Sequence, residues 1–287
     1  MIQEFRYEIP WPATGSRPGH HRSHNSGSGF EFHAHAPLTA YPDPRRVDLY
    51  ASLRDPFGNW IVRVFRQRSA IPVYLLADVS ASMGFTGIRR KLDVLADFAA
   101  AAAYSAYRTG DAFGLISCDS TLREDLSLPL TRSKGVGLRV GKWLRDFDPR
   151  GDSAAGLLQA ASMLGRSRSL VFLASDFHWP TDLLEALLEA LSPHHVVPVV
   201  IWDRAEFETP LRVGIGTLMD SETGRRRMVF LRPALQRQLA RAFRDRQRAM
   251  QETFLRHSLR PLMLLDGFDA DQVTRYFVDP HATSAST

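Results

Sequence analysis

The chain has 287 residues, 44% hydrophobic and 23% charged, with a formal charge of +5 and a pI of about 9.6. That length buries a substantial core, as one large domain or two small ones. The single cysteine, Cys118, excludes an internal disulfide framework and a cysteine-based metal cluster. Much of the basic excess is arginine between Arg225 and Arg260, read as a solvated helix face before any nucleic-acid or membrane surface. The first residues carry Glu4, Arg6 and Glu8 and lack an apolar signal core, and the longest apolar run, Phe98 to Tyr107, is too short to span a bilayer. The expected protein is cytoplasmic, with any membrane attachment made through a partner.

In chain order, Phe5, Tyr7 and Ile9 alternate before Pro10 and predict a short edge strand. Residues 12–29 are rich in Gly, Ser, Pro and His and read as a loop or disordered arm. The histidines between His20 and His35 are close in sequence, but their spacing is not that of a metal site. A short helix is expected after Pro44, and the β-branched and aromatic run from Trp60 to Gln67 predicts a strand. From Val73 an apolar run reaches Asp78-Val79-Ser80-Ala81-Ser82, and an amphipathic helix follows from about Arg89 until Gly110.

Further buried strands are expected at 112–117, 169–174 and 196–202, with an extended segment at 122–130 and a last strand at 261–265. Helices are expected at 136–147, 154–164, from Thr181, at 233–257 and at 270–277. Met219 to Gly224 has hairpin-turn chemistry. Short apolar strands alternating with helices define an α/β chain with a doubly wound, mainly parallel, Rossmann-like sheet. The expected divisions are an N-terminal, partly disordered arm at 1–36, a pre-core segment at 37–71, the α/β domain at 72–279 and a disordered tail at 280–287.

Three strand ends or loops offer oxygen ligands: Asp78, Ser80 and Ser82; then Ser153 beside Asp152; then Asp176. In a parallel sheet the carboxyl ends of the strands share one edge, so these side chains can meet. An all-oxygen set suits a hard divalent cation such as Mg²⁺, which takes six ligands and keeps some waters. Two carboxylates and three hydroxyls leave a position for an acidic group from outside. Serines after a strand also cap helices; the recurrence at later strand-to-helix junctions favours the metal.

These residues resemble the metal-ion-dependent adhesion site of von Willebrand factor A-type domains, in which the serines and a Thr bind the metal directly and the aspartates mostly through water. Ser153 stands where Thr is usual. A closer resemblance runs over roughly residues 20–278. Gly29-Phe30-Glu31-Phe32, Pro44-Arg45-Arg46-Val47-Asp48, Ala51-Ser52, Trp202-Asp203 with Glu206, and Asp220 to Gly224 are similar to the bacterial "domain of unknown function 58" family. The usual Gly-Asp-Asp run and Trp are replaced here by Tyr41-Pro42-Asp43 and Leu49. The resemblance implies a non-enzymatic partner of MoxR-type AAA+ ATPases and of other von Willebrand factor A-like proteins. Such partners act in chaperone-like assembly or metal insertion, in some relatives within methanol-oxidation clusters.

Two other readings are open. Gly151-Asp152-Ser153-Ala154-Ala155 approaches the nucleophile elbow of a serine hydrolase, although no strand is expected before it and no His-Gly-Gly run is present. The arginine-rich helix could bind nucleic acid, but Asp245 and Glu252 interrupt it. The chain has no G-x-x-x-x-G-K-[ST] loop.

Overall fold

The structure is a computed structural model, and it describes residues 2–13, 18–27, 31–206, 214–219, 226–231 and 233–279. The expected tail at 280–287 and the turn at 220–224 lie outside the described residues. By its contacts the chain divides into two units, one of Met1–Tyr7 with Pro72–Thr287 and one of Glu8–Ile71.

The smaller unit holds strands β1 (Pro18–Gly27) and β2 (Glu31–Pro37), helix α1 (Leu49–Leu53) and strand β3 (Ile61–Ser69). Its sheet is antiparallel in the order β1-β3-β2. Strand β1 corrects the loop expected over residues 12–29. Its pairing shifts register between Pro18 and His21 and between Arg22 and Ser26, and such irregularities admit residues that regular strands disfavour. Asp43 caps a 3-10 turn at Pro44–Arg46, and Asp48 caps α1, where one helix was expected. His35 Nε2 and Arg63 Nε lie 3.1 and 2.7 Å from Asp48 Oδ2. The Asp48 carboxyl is held well below the usual range, first by the Ala51 backbone N–H and then by Arg63.

The larger unit runs β4 (Pro72–Asp78), α2 (Lys91–Arg108), β5 (Ala112–Cys118), β6 (Leu122–Thr131), α3 (Val136–Asp146), α4 (Gly156–Ser162), β7 (Leu170–Ser175), α5 (Thr181–Ala190) and β8 (His195–Trp202). The hairpin β9 (Gly214–Met219) and β10 (Arg226–Leu231) follows, then α6 (Pro233–Arg256), β11 (Leu262–Leu265) and α7 (Ala270–Val278). Six strands form one sheet in the order β11-β8-β7-β4-β5-β6, parallel throughout except β6. Starting at β4, the chain builds one half of the sheet outward, then returns to β7 and builds the other. The reversal places a topological switch point between β4 and β7, where open α/β sheets form their crevice.

Strands β5 and β7 are buried along their whole length, as their apolar runs require in a sheet covered on both faces. Leu76, Val171 and Leu173 face a core shared with α4, α5 and α6 residues such as Leu157, Leu187 and Phe254. On the other face Phe98 of α2 packs edge-on against Phe172, at 5.2 Å between centroids, and Phe172 meets Phe277 of α7. Such aromatic pairs add about 0.5–1.5 kcal/mol beyond the area they bury.

Residues 2–9 form no strand, contrary to the expected edge strand. Instead Phe5 stacks on Phe98 at 5.8 Å, its backbone N–H donates to Ser105 Oγ, and Tyr7 Oη donates to Asp111 Oδ2. The apolar alternation there serves side-chain burial, with the backbone held by Ser105 of α2 and Thr274 of α7.

Candidate functional site

Asp78 is the last residue of β4 and Asp176 directly follows β7, so the two carboxylates stand on neighbouring strand ends at the switch point. Both are fully buried, as are Ser175, Ser80 and Ser82 to within a few per cent. Asp78 Oδ1 accepts from Ser80 N at 2.9 Å, folding the chain back on itself after the strand. The Ser80 and Ser82 hydroxyls lie 3.2 Å apart. Ser80 precedes a 3-10 turn, Ala81–Gly84, yet its side chain makes no capping bond. Helix capping, the simplest alternative for these serines, does not account for Ser80.

Ser153 sits half-buried in the loop before α4. Its loop is fastened to the first by Ala81 N donating to Gly151 O at 2.7 Å. Gly151 lies so close to Asp119 that a Cβ there would come 2.4 Å from the Asp119 Cβ. The Ser153 hydroxyl accepts a long 3.4 Å bond from Ala155 N, and α4 has no side-chain cap. The structure therefore joins Asp78, Ser80 and Ser82 by direct bonds and brings the Ser153 loop alongside, without a bond from the Ser153 hydroxyl to the other three.

Ser175, not anticipated from sequence, links the two halves. Its Oγ donates to Asp78 Oδ2 at 2.6 Å and accepts from Phe177 N at 2.8 Å and Trp179 Nε1 at 2.7 Å. Phe177 adopts a left-handed φ of 55°, uncommon for a bulky residue. Its ring stacks on Trp179 at 5.2 Å and meets Phe254 edge-on.

Asp176 has a different environment. Lys91, in the first turn of α2 and only 1% exposed, donates from Nζ to Asp176 Oδ2 at 2.8 Å and pairs also with Glu206. Asp176 Oδ1 accepts from His178 N, and Asp176 O accepts from Trp202 Nε1. Asp203 fixes the approach to Lys91: its Oδ2 accepts from Ile88 N and Arg89 N at 2.7 and 3.1 Å. Gly87 packs against the same carboxylate, where a Cβ would lie 2.2 Å from Oδ1, so no larger residue fits without displacement.

The electrostatics follow. Burial, and then the neighbouring Asp176 charge, push the Asp78 carboxyl up to about 6. Burial is the largest single effect on Asp176 and opposes its ionisation, but the Lys91 ammonium, His178 and the hydrogen bonds to both together hold that carboxyl well below the usual range. Lys91 is itself raised: burial works against its charge, and Asp176 and then Glu206 more than compensate. Asp176, His178 and Glu206 bring ligand-type atoms within 4.8 Å of one another, a grouping suited in residue type to a metal ion. The Lys91 ammonium bonds two of these carboxylates, so a metal there would compete with it. Among the described residues no lysine or arginine pairs with Asp78.

Lys91 was legible in principle. It falls on the stripe of Leu95, Phe98 and Ala102, which points a lysine inward. Cys118 is fully buried, and its thiol is pushed up to about 12 by burial and then by Asp78 and Asp119.

Fold and site define an α/β domain whose sheet carries a buried carboxylate–hydroxyl cluster at the switch point. Residues 43–251 match the family described as "protein of unknown function DUF58", and the chain belongs to that family. An "uncharacterized protein in moxR 3'region" of Paracoccus denitrificans is 42% identical over 100 residues, covering 34% of this chain and 94% of that protein. An uncharacterised protein of Mycobacterium bovis is 26% identical over 244 residues, covering 80% and 68%. Among solved structures, an aerotolerance-related membrane protein from Bacteroides fragilis aligns with a TM-score of 0.46 at 13% identity, covering 72% of this chain and 96% of that one. The SpRpn10 VWA domain aligns with a TM-score of 0.39 at 14% identity, covering 71% and 94%.

Proposed function

We propose that this chain is a non-enzymatic, divalent-metal-dependent interaction module that works with a MoxR-type AAA+ ATPase. Asp78, Ser80, Ser82, Ser153 and Asp176 would hold Mg²⁺ or a similar ion, and an acidic side chain of the partner would complete its coordination. The observation that carries this reading is the contrast at the switch point. A buried carboxylate without a paired cation, Asp78, stands beside two buried hydroxyls, and the capping role open to Ser80 goes unused. A cation there would offset the burial, and then the Asp176 repulsion, that raise Asp78, and would supply the positive charge that Lys91 already gives Asp176. The hard oxygen donors fit such an ion. Asp176, held by Lys91, suits a contact through water better than a direct bond.

The ATPase partner is supported by the Paracoccus relative, whose name places it beside moxR. Chaperone-like assembly, metal insertion and a link to methanol oxidation follow from the family resemblance alone and are part of the proposal, as is a cytoplasmic location. Among the described residues no helix is long and apolar enough to cross a membrane. A hydrolase built on Ser153 is less favoured, because that serine follows a loop from α3 and not a strand.

The deciding experiment is capture of a MoxR-type AAA+ ATPase from the same genome by the full chain, in Mg²⁺ and in EDTA, with wild type and Ser80→Ala. Binding lost in EDTA and in the variant is the expected result. Equal capture in all four conditions overturns the metal mechanism.

A further inference from the structure

We propose that the smaller unit carries a docking surface for an anionic lipid layer, made by the side chains of Leu49, Tyr50, Leu53, Phe57 and Trp60. These residues are 64, 65, 87, 85 and 58% exposed and fall within twelve consecutive positions. Scattered exposed apolar residues are ordinary; a run of five such large ones is not.

The backbone that presents them is satisfied without them. Ser52 Oγ donates to Asp48 O at 2.7 Å and accepts from Ile61 N at 2.8 Å, fastening one side of α1 to the start of β3. Leu49, Tyr50 and Leu53, at i, i+1 and i+4, lie on an adjoining arc of the helix and stand exposed. Asp55 Oδ2 accepts from Phe57 N and Asn59 N at 3.1 and 2.8 Å, and Gly58 takes the left-handed φ of 70° that closes this turn. Trp60 O accepts from Leu38 N at 2.7 Å. The apolar side chains are thus held outward on a hydrogen-bonded helix and turn. Exposures above four-fifths at Leu53 and Phe57 mean that these tips protrude, which suits insertion into a soft apolar medium better than a flat protein contact. Tyr and Trp favour the depth of the headgroups.

Charge selects the lipid. The sequence from Glu8 to Ile71 contains eight arginines, no lysine and five carboxylates. Asp48 is neutralised by Arg63, Asp43 pairs with Arg46, and Asp55 is committed to its turn. Arg54 lies over the Tyr50 ring at 4.1 Å, and among the described residues neither its guanidinium nor that of Arg45 pairs with a carboxylate. Both are exposed, Arg54 within the apolar run and Arg45 four residues before it in sequence, and would supply charge to lipid phosphates.

The test is co-sedimentation of the full chain, in EDTA so that the metal site plays no part, with vesicles of phosphatidylglycerol and phosphatidylcholine or of phosphatidylcholine alone. Binding to the anionic vesicles only is expected, with fluorescence quenched by brominated lipid in wild type and less so in Trp60→Phe. Leu53→Ser with Phe57→Ser should weaken binding by at least about tenfold, with an unchanged thermal melt. Arg45→Glu with Arg54→Glu should weaken it too. No binding, or equal binding by the serine variant, overturns the proposal. So does a patch that is covered in solution by a second copy of the chain, seen as a dimer that the serine variant abolishes.

Discussion

Asp78 and Asp176 end neighbouring strands, are equally buried, and have opposite electrostatic fates. Asp176 has a cation built in on α2, which keeps it ionised. Asp78 has hydroxyls and a backbone N–H but, among the described residues, no paired cation, and its carboxyl rises to about 6. The difference teaches where an external ion belongs. One half of the site is electrically complete within the chain; the other is hydrogen-bonded but short of positive charge.

Breaking the complete half should have the largest effect. Lys91→Met leaves Asp176 and Glu206 without their shared ammonium and should lower unfolding free energy in urea by about 3–5 kcal/mol. Adding Asp176→Asn should recover part of that loss. A single variant within about 1 kcal/mol of wild type would mean that Lys91 is not what holds Asp176 ionised. Next, Ser175→Ala removes one hydroxyl that serves Asp78, Phe177 and Trp179, and a loss of about 1–3 kcal/mol is expected by the same measurement.

The incomplete half should respond to metal more than to truncation. Ser80→Ala should cost less than about 1 kcal/mol in EDTA, because its hydroxyl makes no cap. The variant should lose the rise in melting temperature that Mg²⁺ gives wild type. A Mg²⁺-induced shift retained in the variant would move the ion elsewhere.

The smallest effect concerns Cys118, which pairs in register with Asp78. Its raised pKa means that the folded state keeps the proton more tightly than the unfolded chain does. Stability from this group is fully present below the unfolded value of about 8.5 and is lost as pH rises through that value towards about 12. Cys118→Ala should flatten that alkaline slope in urea titrations. The native thiol should also stay unreactive to a disulfide reagent at pH 8 until denaturant is added, and fast labelling of the folded protein would contradict its burial.

Most of the sheet was legible because buried parallel strands read as unbroken apolar runs ending in polar loops, as at Val73–Asp78 and Leu170–Asp176. The carboxylates followed from those ends. Ser175 and Glu206 were missed because their roles depend on pairing across the sheet, and Lys91 because a lysine near a helix start ordinarily faces solvent. Strand β1 was missed for a different reason. Its Gly, Pro and His content disfavours a strand locally, and pairing with β3 overrides that preference. The edge strand expected at the N-terminus failed because alternating apolar residues signal burial of one face without saying whether a neighbouring strand provides it.

That N-terminal segment also bears on how the chain is made. Phe5 is translated well before Phe98 and Phe172, against which it packs. The smaller unit is continuous in sequence and can close on its own residues first. The larger unit cannot close until its opening residues find partners from far down the chain, a high-contact-order step that slows folding. Trimming the first seven residues, which would look harmless on a sequence map, would therefore remove a piece of the larger unit's interior.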